Sequence, residues 1–448
     1  MTRGIQFKSS IAHTLMRAGL LLWLLLAFGL PCYSQNLTRD LEILGFMRQT
    51  IQENYYDPKL RGVDFVSVFK TAEAQLKKSK SDQESMIILA SILMELDDSH
   101  TIFLPPVYRE FYNPGWRMMT FGEKCVITYV EPESEAEKKG LKVGDVVLQV
   151  DGVKPWRKDL WKIEYLFRSL SPAKVRQLVV QSAGEAARTV VAAAITKQTE
   201  ITTPDEAREI RKKNQQRNAE RVYGISNEVG LWRIPAFSYY EQPEIDQILE
   251  KIKSYKKLVL DLRGNPGGGT DIVAAVIGCL INRTVKVSDH KTRKNSTPWI
   301  NKPHKKGAFE GELVVLVDSK STSGAEVVAR VTQLEKRGMV VGDQTGGAVM
   351  VGASFYKSYL VNASGLYSVG SNYGMQVTIA DMVMSDGKSL ERIGVTPDEL
   401  LLPKPEDLAG KRDPVLARAA ELLGANLDPA KAWLLLHPPV VPQSPKKP

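Results

Sequence analysis

The sequence predicts an α+β chain of several domains, on three observations. From Leu37 to about Pro106 apolar residues recur at helical spacing (Leu41, Leu44, Met47, Ile51, then Met86 to Leu96). From about Trp116 to Thr196 the texture changes to short alternating strands, as in Phe121 to Val130. From Gly230 onward strands alternate with helices, the pattern of βαβ units and a mostly parallel sheet. A length of 448 residues accommodates more than one domain.

The chain opens with Arg3, Lys8 and Arg17, has no acid before Arg39, and runs apolar from Ala18 to Leu30. A basic start, a short apolar run and the small Ser34 predict a secretory signal peptide over residues 1–34. The run is shorter than the roughly 18–20 residues of a spanning helix, so no stable membrane span is expected after cleavage. Pro31 before Cys32 argues against a lipoprotein site. Loss of Arg3, Lys8 and Arg17 takes the net charge from +9 to +6, too mild an excess for nucleic-acid binding. The mature chain keeps Cys125 and Cys279, each in an apolar run, which predicts buried free thiols. With five histidines and no Cys/His cluster at metal spacing, neither a metal nor a cofactor is expected.

An N-terminal helical domain is expected over 37–110, with a turn at Asn54-Tyr55-Tyr56-Asp57-Pro58. In the strand-rich segment 116–198, Ala136-Glu137-Lys138-Lys139-Gly140-Leu141 leads into Val143-Gly144-Asp145-Val146-Val147-Leu148-Gln149-Val150-Asp151-Gly152. This run resembles a bacterial PDZ domain. The resemblance implies capture of a protein's carboxy terminus by strand addition, with Phe121 and Gly122 near the carboxylate-binding loop. Residues 199–227, with the charge-laced stretch Arg208 to Arg221, read as a linker, and 228–405 as the main α/β unit. Residues 406–448 read as an amphipathic helix (Asp413 to Leu423) and a Pro-rich tail.

Four segments carry the chemistry. Leu258 to Thr270 reads as a buried strand, a turn containing Arg263-Gly264-Asn265-Pro266-Gly267-Gly268-Gly269, and a helix start. Leu316 to Glu326 reads as a strand, a Ser-rich turn and another helix start, where a hydroxyl meets free N–H groups and a positive dipole end. Asp97-Asp98-Ser99-His100-Thr101 closes a helix, and Glu391-Arg392-Ile393-Gly394-Val395-Thr396-Pro397-Asp398 lies near the end. In their order along the chain, with Asp97 to Thr101 first, they resemble the C-terminal processing (tail-specific) serine peptidases and the related tricorn protease core, over residues 37 to 402. The resemblance implies a crotonase-like (ClpP-like) α/β catalytic core.

It also implies the site. Ser323, three residues before Glu326, is the expected nucleophile, with Ser319 and Ser321 as competitors. Gly324, Gly267 and Gly268 are the expected oxyanion donors, glycine permitting close approach and positive φ. The processing-peptidase branch places its lysine base where this chain has Ala348, and Lys336 lies two or three turns along the helix from Ser323. The tricorn branch uses a histidine preceded by serine, and a glutamate. That pattern makes His100 the base here, with Ser99 or Glu391 orienting it. The expected activity is serine endopeptidase action on polypeptide tails in the periplasm or outside the cell. A catalytically dead peptide-binding scaffold is the alternative. Acyl-CoA chemistry, a third use of such a core, is disfavoured by export.

Overall fold

A computed structural model describes residues 37–106, 110–198, 221–237, 242–359 and 371–437. The expected signal peptide, residues 199–220 of the expected linker and the Pro-rich end from Pro438 lie outside the described residues.

The chain begins with α1 (Leu37–Asn54), α2 (Phe65–Leu76) and α3 (Asp82–Met94), followed by the short β1 (Ile102–Leu104). Asp64 accepts the Ser67 amide at the start of α2, and the Ser81 hydroxyl accepts the Glu84 amide at the start of α3. The apolar stripes of these helices meet through Ile43, Met47, Ile51, Phe69, Leu89 and Leu93.

Next come β2 (Glu110–Asn113), β3 (Trp116–Phe121), β4 (Lys124–Val130), α4 (Glu135–Lys138), β5 (Val146–Val150), α5 (Leu160–Tyr165), β6 (Val175–Gln181), β7 (Arg188–Ala193) and β8 (Ile195–Gln198). Strands β3-β4-β5-β6-β7 form an antiparallel sheet in that order, and β2 pairs with β8. Gly140 ends the turn after α4 with φ of +81°, the left-handed position that glycine supplies at a helix end. Cys125 lies buried in this unit and Cys279 in the next, both as free thiols pushed up to about 12 by burial.

The remaining elements are β9 (Val222–Gly224), β10 (Val229–Arg233), α6 (Gln242–Lys253), β11 (Lys257–Asp261), α7 (Thr270–Leu280), β12 (Val285–Thr292), β13 (Ser296–Asn301), β14 (Glu312–Val317), α8 (Gly324–Leu334), β15 (Met339–Gly342), β16 (Met350–Tyr359), β17 (Ser371–Met384), β18 (Glu399–Leu400), α9 (Pro405–Ala409), α10 (Pro414–Leu422) and α11 (Pro429–Leu436). A six-stranded sheet runs β18-β15-β14-β11-β10-β9, parallel except for β9 at its edge. Its central strands are unbroken apolar runs because both faces are covered. Leu258, Leu260, Val315 and Val317 pack with residues of α6, α7 and α8. Val259, Val314, Leu316 and Val341 pack with Leu416, Ala419 and Ala432 of α10 and α11. A second sheet runs β1-β17-β12-β13, with β16 also paired along β17.

Three expectations are corrected here. The stretch 199–227 does not end as a linker, because Val222–Gly224 joins the core sheet antiparallel to β10. The helical region 37–110 does not close on itself. Its strand β1 pairs with β17, and Phe103, Met375 and Val377 share a core with α1–α3. The segment after residue 405 is likewise no appendage, since α10 and α11 cover one face of the main sheet and Asp413 grips Arg263 at 2.8 Å.

Candidate active site

The site lies where the C-terminal ends of β11 and β14 run into turns, the end of a parallel sheet at which α/β proteins bind ligands. Ser323 immediately precedes α8, with φ of 53° and ψ of −117°. A non-glycine residue held there costs on the order of 1–3 kcal/mol, so its surroundings must enforce it. Its competitors are engaged. The Ser321 hydroxyl donates to the Leu262 carbonyl at 2.8 Å and is fully buried, and the Ser319 hydroxyl donates to the Thr120 carbonyl at 2.6 Å. At the helix start the Glu326 amide goes to the Ser323 carbonyl at 2.9 Å.

The glycine turn after β11 abuts Ser323. A Cβ on Gly267, whose φ is +90°, would lie 2.6 Å from Ser323 Cβ and 3.0 Å from its Oγ. A Cβ on Gly268, φ +146°, would lie 2.5 Å from the Phe237 carbonyl. The expectation that Gly267 supplies an oxyanion donor is corrected. Its N–H goes to Asn265 Oδ1 at 2.8 Å, and its carbonyl accepts the Phe237 amide at 2.8 Å. Among the described residues the Gly268 and Gly324 amides have no acceptor. Asn265 also takes the Thr322 amide on its carbonyl at 2.9 Å, tying the glycine turn to the serine turn.

His100 is positioned by the pairing of β1 with β17 and by buried Asp98, which fixes the preceding turn. Asp98 accepts the His100 amide (2.8 Å), the Tyr55 hydroxyl (2.9 Å) and the Thr378 hydroxyl (2.6 Å). The Ser99 hydroxyl lies 2.8 Å from His100 Nδ1 and donates to Glu391 Oε2 at 2.8 Å. Glu391 also accepts the Ser99 amide at 2.8 Å and the Val349 amide at 3.0 Å. Burial holds His100 below its ordinary value of 6.5, against a pull upward from Asp98. Burial and Asp98 together hold Glu391 above the usual carboxylate range.

The histidine side and the serine side are joined at the turn Gly347-Ala348-Val349. Consecutive amides divide between the two carboxylates: Ala348 N–H goes to Glu326 Oε2 at 2.8 Å, Val349 N–H to Glu391 Oε2. Glu326 takes the Ser323 amide on the same Oε2 at 3.0 Å. Hydrogen bonds on either side of the Ala348-Val349 peptide therefore link the Ser323 turn to the Glu391–Ser99–His100 group.

The lysines are placed elsewhere. Lys336 follows the far end of α8, roughly 20 Å along the axis from Ser323 at 1.5 Å per residue. Lys320, only three residues before Ser323 and passed over in the sequence, pairs with Glu164 at 2.6 Å. Asp97 pairs with Lys162 and Arg392, and Asp261 with Arg233 and Arg263, as structural partners.

Phe121-Gly122 is also corrected. It forms the tip between β3 and β4 and is pressed onto the core, with the Gly122 amide on Asp343 at 3.0 Å and the Gly122 carbonyl accepting Arg157 at 3.1 Å. Its amide is thus not open to a peptide carboxylate. The residues that sequence reasoning left out are Asn265, Thr345 and, as more than a landmark, Glu326. An Asn two residues before a turn glycine and a Glu at the third position of a helix behind a serine are recognisable turn and capping patterns.

Residues 228–401 match peptidase family S41, and residues 126–192 match the PDZ domain. The chain is 24% identical over 393 residues to the chloroplastic C-terminal processing peptidase of Tetradesmus obliquus, covering 81% of this chain and 78% of that one. It is 24% identical over 341 residues to the carboxyl-terminal-processing protease of Picosynechococcus sp., covering 73% and 75%. The structure of mature CPAF superposes with a TM-score of 0.64 at 17% identity, covering 83% of this chain and 94% of that one, a likeness of fold. Fold and site thus define a serine-type peptidase core carrying a PDZ domain. Residues 228–401 carry the match to peptidase family S41, and the chain is similar over most of its length to C-terminal processing serine proteases.

Proposed function

We propose that this chain is an exported endopeptidase that captures unstructured or carboxy-terminal protein tails through its PDZ domain and cleaves them with Ser323, using His100 as base. The observation that carries the reading is the position of the Ser99 hydroxyl between His100 Nδ1 and Glu391. An ionised carboxylate only accepts, so the single Ser99 proton goes to Glu391. Ser99 Oγ must then accept the Nδ1 proton of His100, which leaves Nε2 with its lone pair as the base. Ser99 and Glu391 fix the tautomer and steady the imidazolium that forms.

In the proposed reaction Nε2 takes the Ser323 proton as Oγ attacks the scissile carbonyl. The amides of Gly324 and Gly268 receive the developing oxyanion. Imidazolium then protonates the leaving amine, and water, activated by the same nitrogen, releases the acyl group. Tail capture is supported by the PDZ match and by the sheet order, which leaves β3 and β7 as outer strands to which an extended peptide could add.

Hydrolysis of a denatured protein by the mature chain is the test. Activity is expected, with Lys336→Ala and Lys320→Ala each within about threefold of the parent, as for changes outside the reacting set. Loss of activity in either lysine variant with the fold intact would return the base to an amine. A chain that binds tail peptides without cleaving them would be a scaffold, the reading that Ala348 favours.

The base also has a signature in pH. Burial keeps His100 below 6.5, with Asp98 and Glu391 as facing acids and Arg392 as facing cation. Protonation of His100 should therefore limit kcat/KM only below that value, and the profile should be level by about pH 8. A rise continuing above pH 8 would mark a titrating amine.

A further inference from the structure

Glu326 is a fully buried carboxylate with four donors on it and, among the described residues, no cation paired with it. Oε1 accepts the Thr345 hydroxyl at 2.5 Å and the Gly347 amide at 2.8 Å. Oε2 accepts the Ser323 amide at 3.0 Å and the Ala348 amide at 2.8 Å. Thr345 is held in turn, its hydroxyl accepting the Val395 amide at 2.6 Å and its own amide donating to the Val395 carbonyl at 3.1 Å. Burying a charge without a cation is expensive, and a helix cap does not require it, since an exposed Glu at the same position serves.

The geometry points to Glu326 as a positioning residue. Its carboxylate holds the Ser323 peptide at positive φ and, through Ala348-Val349, fixes the nucleophile turn against the Glu391–Ser99–His100 line. This rests on the Ser323/His100 reading and deepens it. At Ala348-Val349 the chain uses two consecutive backbone amides to join two carboxylates. The strain at Ser323 (φ 53°, ψ −117°) supports the assignment. A strained residue needs its neighbours to hold it, and while α8 amides hold the Ser323 carbonyl, Glu326 holds its amide.

Glu326→Gln separates this role from simple packing. The amide has the same shape but one acceptor oxygen, so its NH2 must face either the Ser323 and Ala348 amides or the Thr345 and Gly347 donors. The readout is the rate at which a fluorophosphonate probe acylates Ser323, read by mass, beside kcat and KM on a peptide. Glu326→Gln is expected to slow acylation and kcat about 100-fold, the scale of a small misplacement of a reacting group, with KM within about twofold. Thr345→Val, a milder change, is expected to lose about tenfold, and Thr345→Ser to restore the rate. Thr345→Val and Thr345→Ser decide the matter if Glu326→Gln does not fold. A folded Glu326→Gln acylated at the parental rate would overturn the inference, as would Thr345→Val at the parental rate. Failure of the underlying reading looks different, since the parent itself would then carry no adduct on Ser323.

Discussion

Replacing Ser323 by alanine is expected to lower kcat for peptide hydrolysis by about 10⁴- to 10⁶-fold while leaving the fold unchanged, the loss seen when a serine nucleophile is removed from a working set. The fold should survive because the Ser323 hydroxyl is not what caps α8. The Glu326 amide uses the Ser323 carbonyl, and the Glu326 carboxylate uses the Ser323 amide, so both backbone contacts remain in the alanine variant. His100→Ala should be almost as severe, because a serine hydroxyl is a poor nucleophile without a base. The double variant should be little worse than either single one, since the two residues act as a unit. Additive losses, or a Ser323→Ala chain that still cleaves, would place the chemistry elsewhere. Circular dichroism and the unfolding midpoint of each variant provide the control for folding.

Gly267→Ala is the second large effect. Its φ of +90° lies where a side chain is rarely tolerated, and the added methyl would sit 2.6 Å from Ser323 Cβ and 2.9 Å from the Gly324 amide nitrogen. The neighbours that must yield are Ser323, the proposed nucleophile, and Gly324, a proposed oxyanion donor. Activity is expected to fall by about 10³-fold, on the scale of a lost oxyanion donor. The backbone strain should destabilise the chain by about 1–3 kcal/mol. A variant that loses stability but keeps kcat would show that the turn is structural and that Ser323 is not beside it in the working enzyme. Gly264 is the matched control. Its φ of +72° is also left-handed, but a Cβ there meets nothing within 4 Å, so Gly264→Ala should strain the backbone without moving Ser323.

Much of this was legible in the sequence because it is encoded locally. The run from Leu258 to Asp261 reads as a strand, and the helix behind Ser323 announces itself through Val327, Val328 and Val331. Motif order singles out the Ser99-His100 pair and Glu391, and folding joins them by hydrogen bonds although 292 positions separate Ser99 from Glu391. What was not legible depends on long-range contact. That Gly122 would face Asp343, 221 positions away, follows from how the PDZ sheet docks and leaves no local trace. That Val222–Gly224 would complete the core sheet is hidden behind the charged stretch that precedes it, since a three-residue edge strand has too little pattern to announce itself. Gly267 is the intermediate case. Its glycine identity pointed correctly to close approach, yet the amide was taken by Asn265 Oδ1, a side-chain turn that Asn265-Pro266-Gly267 does encode.

The most direct test of the central claim is the position and rate of covalent capture by a fluorophosphonate, read by intact mass and peptide mapping on the mature chain and on its His100→Ala variant. The account predicts a single adduct on Ser323 in the parent and capture slowed by several orders of magnitude without His100. An adduct on Ser319 or Ser321, or capture of Ser323 at the parental rate in the absence of His100, would contradict it.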